Sequence, residues 1–148
     1  MNNPLSTKRR GMYSEHRVIA ELIRLGFDVY TSCVDEIGID CVIRINNGKK
    51  KYYDIQIKKC EDNINIPVAS TMVEYLKSEP DNYILLILIT YKNKPDNNII
   101  YLMASQITEF KPYAKQIDFI IPAEKRDEFI KTQSLEKLKD ILQPKEKI

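Results

Sequence analysis

A chain of 148 residues, 43% hydrophobic and 30% charged, has the size and balance of one soluble globular domain with one sizeable core. Its longest apolar run, eight residues from Tyr83 to Thr90, is too short to span a bilayer, and the opening MNNPLSTKRRG lacks the apolar stretch of a secretory signal; a cytoplasmic protein with no membrane association is expected. A formal net charge of +2 does not by itself announce a nucleic-acid binder, and the odd set Cys33, Cys41 and Cys60 has no metal-ligand spacing and fits a reduced protein.

The first predicted element is a helix that begins after Leu5 or Ser6 and ends near Leu25, with Met12, Ile19, Leu22, Ile23 and Val18 on one broad apolar stripe. Gly26 fits the position just past its end, with Phe27 folding back. Gly11 inside the helix costs about 1 kcal/mol relative to alanine, and marks either close approach of another chain or a later helix start. An extended piece, Asp28 to Ser32, follows. Strands Ile39 to Ile45 and Lys51 to Lys59 then flank Asn46-Asn47-Gly48, a hairpin signal. A helix is expected from about Pro67 to Ser78, with Ala69, Met72, Val73 and Leu76 buried. Tyr83 to Thr90 reads as a central strand, Lys92 to Asn98 as a polar turn, and Ile99 to Met103 as another strand. A short helical turn over Ser105 to Phe110 and an unclassified piece at Phe119 to Ile121 precede one or two helices over Glu124 to Gln143, with Leu135, Leu138, Ile141 and Leu142 inward. The order predicts one α/β domain over residues 1–148, a mixed sheet with helices on its faces.

Charge is distributed unevenly. Lys8, Arg9 and Arg10 form one basic cluster and Lys49, Lys50 and Lys51 another, followed by Lys58 and Lys59; Asp35, Glu36 and Asp40 lie between. Basic edges around an acidic centre suit a phosphodiester held beside a cation. Strand alternation puts Asp54, Gln56 and Lys58 on one face and Ile55 and Ile57 on the other. The hairpin brings Asp40 toward the Gln56–Lys58 end, while Asp54 lies nearer Arg44 or Val42 in a local salt bridge. Glu15, four residues before Ile19 and seven before Leu22, falls on the apolar stripe and needs a partner there, for which Lys58 or a cation would serve.

Two carboxylates and an amide oxygen are hard ligands that suit Mg2+ or Mn2+, with Asp40 as main ligand, Gln56 through its amide oxygen, the Ile57 carbonyl beside it, and Glu15 directly or through water. Lys58 would orient the attacking water or balance charge on the phosphate. Taken singly, each residue has a plainer reading: Asp40 as a turn acceptor, Gln56 and Lys58 on a wet strand face, Glu15 paired to Arg10 or Lys8, His16 at the surface. Lys8, Arg9, Arg10 and Lys59 are the nearer phosphate contacts; Lys49, Lys50 and Lys51, at the far end of the hairpin, would hold flanking DNA backbone.

Asp40, then Gln56-Ile57-Lys58 at the end of the next strand, resembles the bipartite motif of PD-(D/E)XK nucleases, with Glu15 matching the additional helix acid of many members. The resemblance covers roughly Ser6 to Met103 and implies a restriction-endonuclease-like central mixed β-sheet flanked by helices. Ile39 stands where a proline is expected, and Gln56 where Asp or Glu is usual. Length and spacing look most like the small intron-encoded homing endonucleases of this superfamily; archaeal Holliday-junction resolvases are also similar but normally keep a glutamate at the position of Gln56. The resemblance implies a magnesium-dependent endonuclease acting on double-stranded DNA as a homodimer or homotetramer. A junction-specific or restriction-type nuclease, a catalytically inactive DNA-binding module and a protein-binding domain are the alternatives.

Overall fold

The computed structural model describes residues 7–31, 38–62, 64–67, 75–78, 80–108, 112–113 and 118–144. Helix α1 (Thr7–Arg24) leads into β1 (Asp28–Tyr30), β2 (Cys41–Asn46) and β3 (Lys50–Glu61). After β4 (Ile64–Pro67) come β5 (Tyr83–Tyr91), β6 (Lys94–Met103), α2 (Ala104–Thr108), β7 (Pro112–Tyr113), β8 (Asp118–Ile121), α3 (Ala123–Thr132) and α4 (Leu135–Leu142). The main sheet runs β1-β2-β3-β5-β6, and β4-β8-β7 form a second, smaller sheet. Every neighbouring pair is antiparallel except β3 and β5, which run parallel. The main sheet is therefore mixed and flanked by helices, as the sequence implied.

Strand alternation sorts the core into two layers. On one face, Cys41, Ile43, Ile55, Ile57, Ile84 and Leu86 pack with Val18 and Leu22 of α1 and Leu135, Leu138 and Leu142 of α4. On the other, Tyr83, Leu85, Ile87, Ile100 and Leu102 pack with Leu76, Ala104, Ile107 and Phe129. Strand β5 feeds both layers and is buried from Tyr83 through Ile89, which is why its sequence is continuously apolar rather than alternating.

Helix α1 ends as its residues dictate. Gly26 takes φ 93°, its N–H donates to Ile23 C=O at 2.9 Å, and Phe27 N–H reaches back to Leu22 C=O at 3.0 Å. That left-handed stop satisfies two terminal carbonyls and folds buried Phe27 onto Leu22. The helical stretch after Ile121 divides because Gln133 leaves it: its Nε2 donates to Tyr101 C=O at 2.6 Å, and Tyr101 N–H donates to Gln133 C=O at 3.0 Å. Ser134 then caps α4, accepting from Lys137 N–H at 3.3 Å.

Several expectations need correction. Met12 (51% exposed), Ile23 (58%) and Ile141 (57%) face solvent, because α1 buries the narrower line through Ser14, Val18 and Leu22, and α4 the line through Leu135, Leu138 and Leu142. Pro67 ends a strand rather than starting a helix. Residues 75–77 are helical as expected, while Ala69, Met72 and Val73 lie outside the described residues. Strand β6 starts at Lys94, inside the expected turn, since an edge strand accepts polar residues on its open side. The Arg44 guanidinium pairs with Asp28, Nη2 to Oδ2 at 3.2 Å, a partner on β1 that the sequence reading did not name.

Candidate functional site

The hairpin fixes the first part of the site. Its register places Cys41 opposite Ile55 and Val42 opposite Asp54. Asp40 N–H nevertheless donates to Ile55 C=O at 2.7 Å. Asp40 and Cys41 thus stand against one residue, the pattern of a β-bulge, and a bulge re-aims the side chain of the extra residue. The Asp40 carboxylate turns into the ladder itself: Oδ2 accepts the Ile57 N–H at 2.6 Å, where a strand carbonyl would otherwise sit. A strand residue projects its N–H and C=O to the same side, so the Ile57 carbonyl also faces the end of β2.

Groups on both faces of the sheet sense this carboxylate. The buried Cys41 thiol, in the α1 layer, is pushed up to about 12 by burial first and then by Asp40 and Glu15. The Tyr83 hydroxyl, in the opposite layer, is also pushed up, by burial first and then by Asp40, Tyr75 and Asp54. Two carboxylates from different elements, Glu15 of α1 and Asp40 ahead of β2, therefore bear on one buried sulfur.

Beside them a groove of about 440 Å³ runs between α1 and β3. Arg10, Gly11, Ser14 and Glu15 form its α1 wall. Ile57, Lys58, Lys59 and Glu61 form its β3 wall. Ser14 is buried and its Oγ donates to Arg10 C=O at 3.0 Å, turning the hydroxyl back onto the helix. Lys58 is half-buried and lines the groove together with Glu15, the partner anticipated for it from the sequence.

Gln56 lies next to this groove on the second face of β3. Its Oε1 accepts the Tyr83 O–H at 2.6 Å, and Tyr83 meets the Tyr75 ring edge-on at 5.7 Å. The sequence offered no sign of Tyr83 beyond its place at the head of an aliphatic run, because its neighbour in the sheet is set by the parallel pairing Asp54↔Tyr83.

The basic residues divide. Arg10, Lys58 and Lys59 line the groove, with Lys8 and Arg9 exposed just before Arg10 on α1. Lys49, Lys50 and Lys51 lie at the opposite end of the hairpin, where the Lys51 Nζ stands 5.1 Å from the Tyr53 ring centre and 4.0 Å from Asp81. His16 is exposed. Asp35 and Glu36 of the acidic patch lie outside the described residues.

Among the described residues no three His, Cys, Asp or Glu side chains gather into a metal-holding cluster. The oxygen donors in this region are of mixed kind: the Asp40 carboxylate and the Ile57 carbonyl at the bulge, Glu15 on the α1 wall of the groove, and the Gln56 amide on the other face of β3, where it meets Tyr83. Hard oxygen donors with one or two carboxylates suit Mg2+, which keeps several of its waters. Each oxygen of a carboxylate or an amide carries two lone pairs, so one accepted hydrogen bond does not by itself exhaust it. The chemistry of the donor set therefore fits such an ion. Among the described residues no helix is long and apolar enough to cross a membrane.

No family model and no curated protein matches the chain. Solved structures do. Hjc, a Holliday junction resolvase from Archaeoglobus fulgidus, aligns with a TM-score of 0.50 and 15% identity over 78% of this chain and 85% of its own. The bacterial homing endonuclease I-Ssp6803I aligns with a TM-score of 0.51 and 12% identity over 95% of this chain and 99% of its own. The chain has a restriction-endonuclease-like α/β fold, a central mixed sheet flanked by helices, as the sequence led us to expect.

Proposed function

We propose that the protein is a divalent-metal-dependent endonuclease that hydrolyses phosphodiester bonds in double-stranded DNA, in the manner of a homing endonuclease. The observation that carries this reading is the bulge at Asp40, which turns a carboxylate onto the Gln56-Ile57-Lys58 segment beside a groove edged by Arg10, Lys58 and Lys59. Asp40, Gln56, the Ile57 carbonyl and Glu15 would hold Mg2+ or Mn2+. Such an ion, when bound, supplies polarisation of a phosphoryl oxygen and neutralisation of charge.

The chain's own residues supply the rest. Arg10 and Lys59 seat the DNA backbone, with Lys8 and Arg9 extending the contact; these contacts position the strand without reading its bases. Lys49, Lys50 and Lys51 hold backbone farther along. Lys58 directs its ammonium to the charge that builds on the phosphate oxygens and orients the attacking water. The water oxygen bonds to phosphorus as one phosphorus–ester oxygen bond breaks; the water gives its two protons to solvent, and the leaving ester oxygen takes one from solvent to depart as a hydroxyl. Two copies acting together, as a homodimer or homotetramer, would cut both strands.

A randomised duplex library and a four-way junction, each incubated with Mg2+ or with EDTA, test the reading. Breaks that need Mg2+ and disappear in Asp40→Asn and Lys58→Met are expected; preferential cutting of the junction would assign a resolvase instead. A second reading, a DNA-binding module without catalysis, is favoured by the uncharged Gln56 and by the small number of carboxylates at the bulge. It predicts a salt-sensitive complex and no breaks.

A further inference from the structure

Glutamine at the position of Gln56 raises a problem that a carboxylate would not. The two oxygens of a carboxylate are equivalent, so either rotation of the group presents an acceptor. An amide has one oxygen and one NH2, and its terminal torsion is broad, so an unrestrained glutamine offers donor and acceptor in turn. A glutamine that must present its oxygen needs something to hold it.

Tyr83 has the attributes of that device. It is 1% exposed, at the head of strand β5, which is buried from Tyr83 through Ile89. Parallel pairing sets it beside Asp54, two residues before Gln56, so a tyrosine side chain reaches along the strand to the amide. Its O–H donates to Gln56 Oε1 at 2.6 Å. The Tyr75 ring, edge-on at 5.7 Å with an interplanar angle of 76°, braces the phenol from the side. Tyr83 is buried and does not line the groove, so its oxygen is spent inside the protein rather than on a ligand.

We propose that Tyr83 is a positioning residue whose buried hydroxyl fixes the Gln56 amide, with its oxygen directed between the phenol and the site, and so lets a neutral side chain serve where an acidic one would need no such support. The inference rests on the reading of Gln56 as a cation ligand.

The test is Tyr83→Phe, which removes one oxygen and keeps the ring, made in the natural background and in Gln56→Glu. In the natural background, loss of one hydrogen bond should raise the Mn2+ concentration for half-saturation, measured by calorimetry, roughly three- to tenfold. It should lower kcat similarly and leave KM for DNA unchanged. In Gln56→Glu, whose two oxygens are equivalent, the same change should cost less than about twofold, because the interaction is pairwise. Equal losses in both backgrounds would mark Tyr83 as merely structural and overturn the proposal, as would no loss in the natural background. Relaxation of the Gln56 side-chain 15N in the unmutated protein gives a check that needs no folded variant: order near that of the backbone is expected, and the freedom of a surface glutamine would overturn it. An unmutated chain that binds no Mn2+ and cuts no DNA overturns the nuclease reading as well, whereas an active chain indifferent to Tyr83→Phe overturns only the role of Tyr83.

Discussion

Replacing Asp40 by alanine and by asparagine separates what this residue does for the fold from what it does for chemistry. In the folded chain Asp40 Oδ2 accepts the partly buried Ile57 N–H at 2.6 Å, extending the ladder just ahead of β2. A hydrogen bond to a charged group contributes about 1.5–3 kcal/mol, and a buried N–H left without an acceptor costs a similar amount. Asp40→Ala should therefore destabilise by about 1.5–3 kcal/mol, lowering Tm by roughly 4–10 °C for a domain of this size. Asparagine keeps an oxygen at the same place. It also removes one of the two negative charges, with Glu15, that bear on the Cys41 thiol, so Asp40→Asn should fold with a stability within about 1 kcal/mol of the parent. Hydrogen exchange by NMR reads the bond directly: the Ile57 amide should exchange roughly ten- to a hundredfold faster in Asp40→Ala, with little change in Asp40→Asn. DNA cleavage should vanish in both. An alanine variant that melts within 1 °C of the parent, with Ile57 exchanging at the parental rate, would refute the placement of the carboxylate in the ladder and with it the geometry of the site.

Gly11 lies on the groove wall, and a Cβ built on it meets nothing within 4 Å. Gly11→Ala should raise stability by about 0.4–1 kcal/mol in urea melts and, if the groove seats DNA, weaken the complex measured by fluorescence anisotropy. The Cys41 thiol is raised from 9.0 to about 12 in the folded chain, so folding favours its protonated form. Its contribution is fully present below about pH 9.0 and is lost as pH rises toward about 12; Cys41→Ala should flatten the fall in stability across that window, followed by denaturant titration at stepped pH. Leu138, 0% exposed, and Ile141, 57% exposed, give a direct check on how α4 packs. Leu138→Ala should cost about 2–5 kcal/mol and Ile141→Ala less than about 0.5 kcal/mol, and similar losses at both would mean that α4 is rotated from the position described.

Local periodicity and turn chemistry made much of this protein legible in its sequence. The alternation around Asn46-Asn47-Gly48, the unbroken apolar run of β5, and the Gly26–Phe27 stop of α1 each encode their own conformation, because the controlling contacts lie within a few residues. The same locality made the spacing of Asp40, Gln56 and Lys58 readable as a nuclease-like pattern. Contacts between distant segments were not readable. Whether Met12, Ile23 and Ile141 are covered depends on which line of each helix meets the sheet, and apolar spacing admits more than one line. The strand at Ile64–Pro67 exists through its pairing with residues more than fifty positions away, which overrides the helix-start preference of a proline. The bulge at Asp40 and the Tyr83–Gln56 hydrogen bond come from register, which each strand inherits from its partner rather than from its own residues. The sequence alone determined which chemical groups the site contains; tertiary structure decided where they point, because orientation is set by the packing of segments that the chain brings together only on folding.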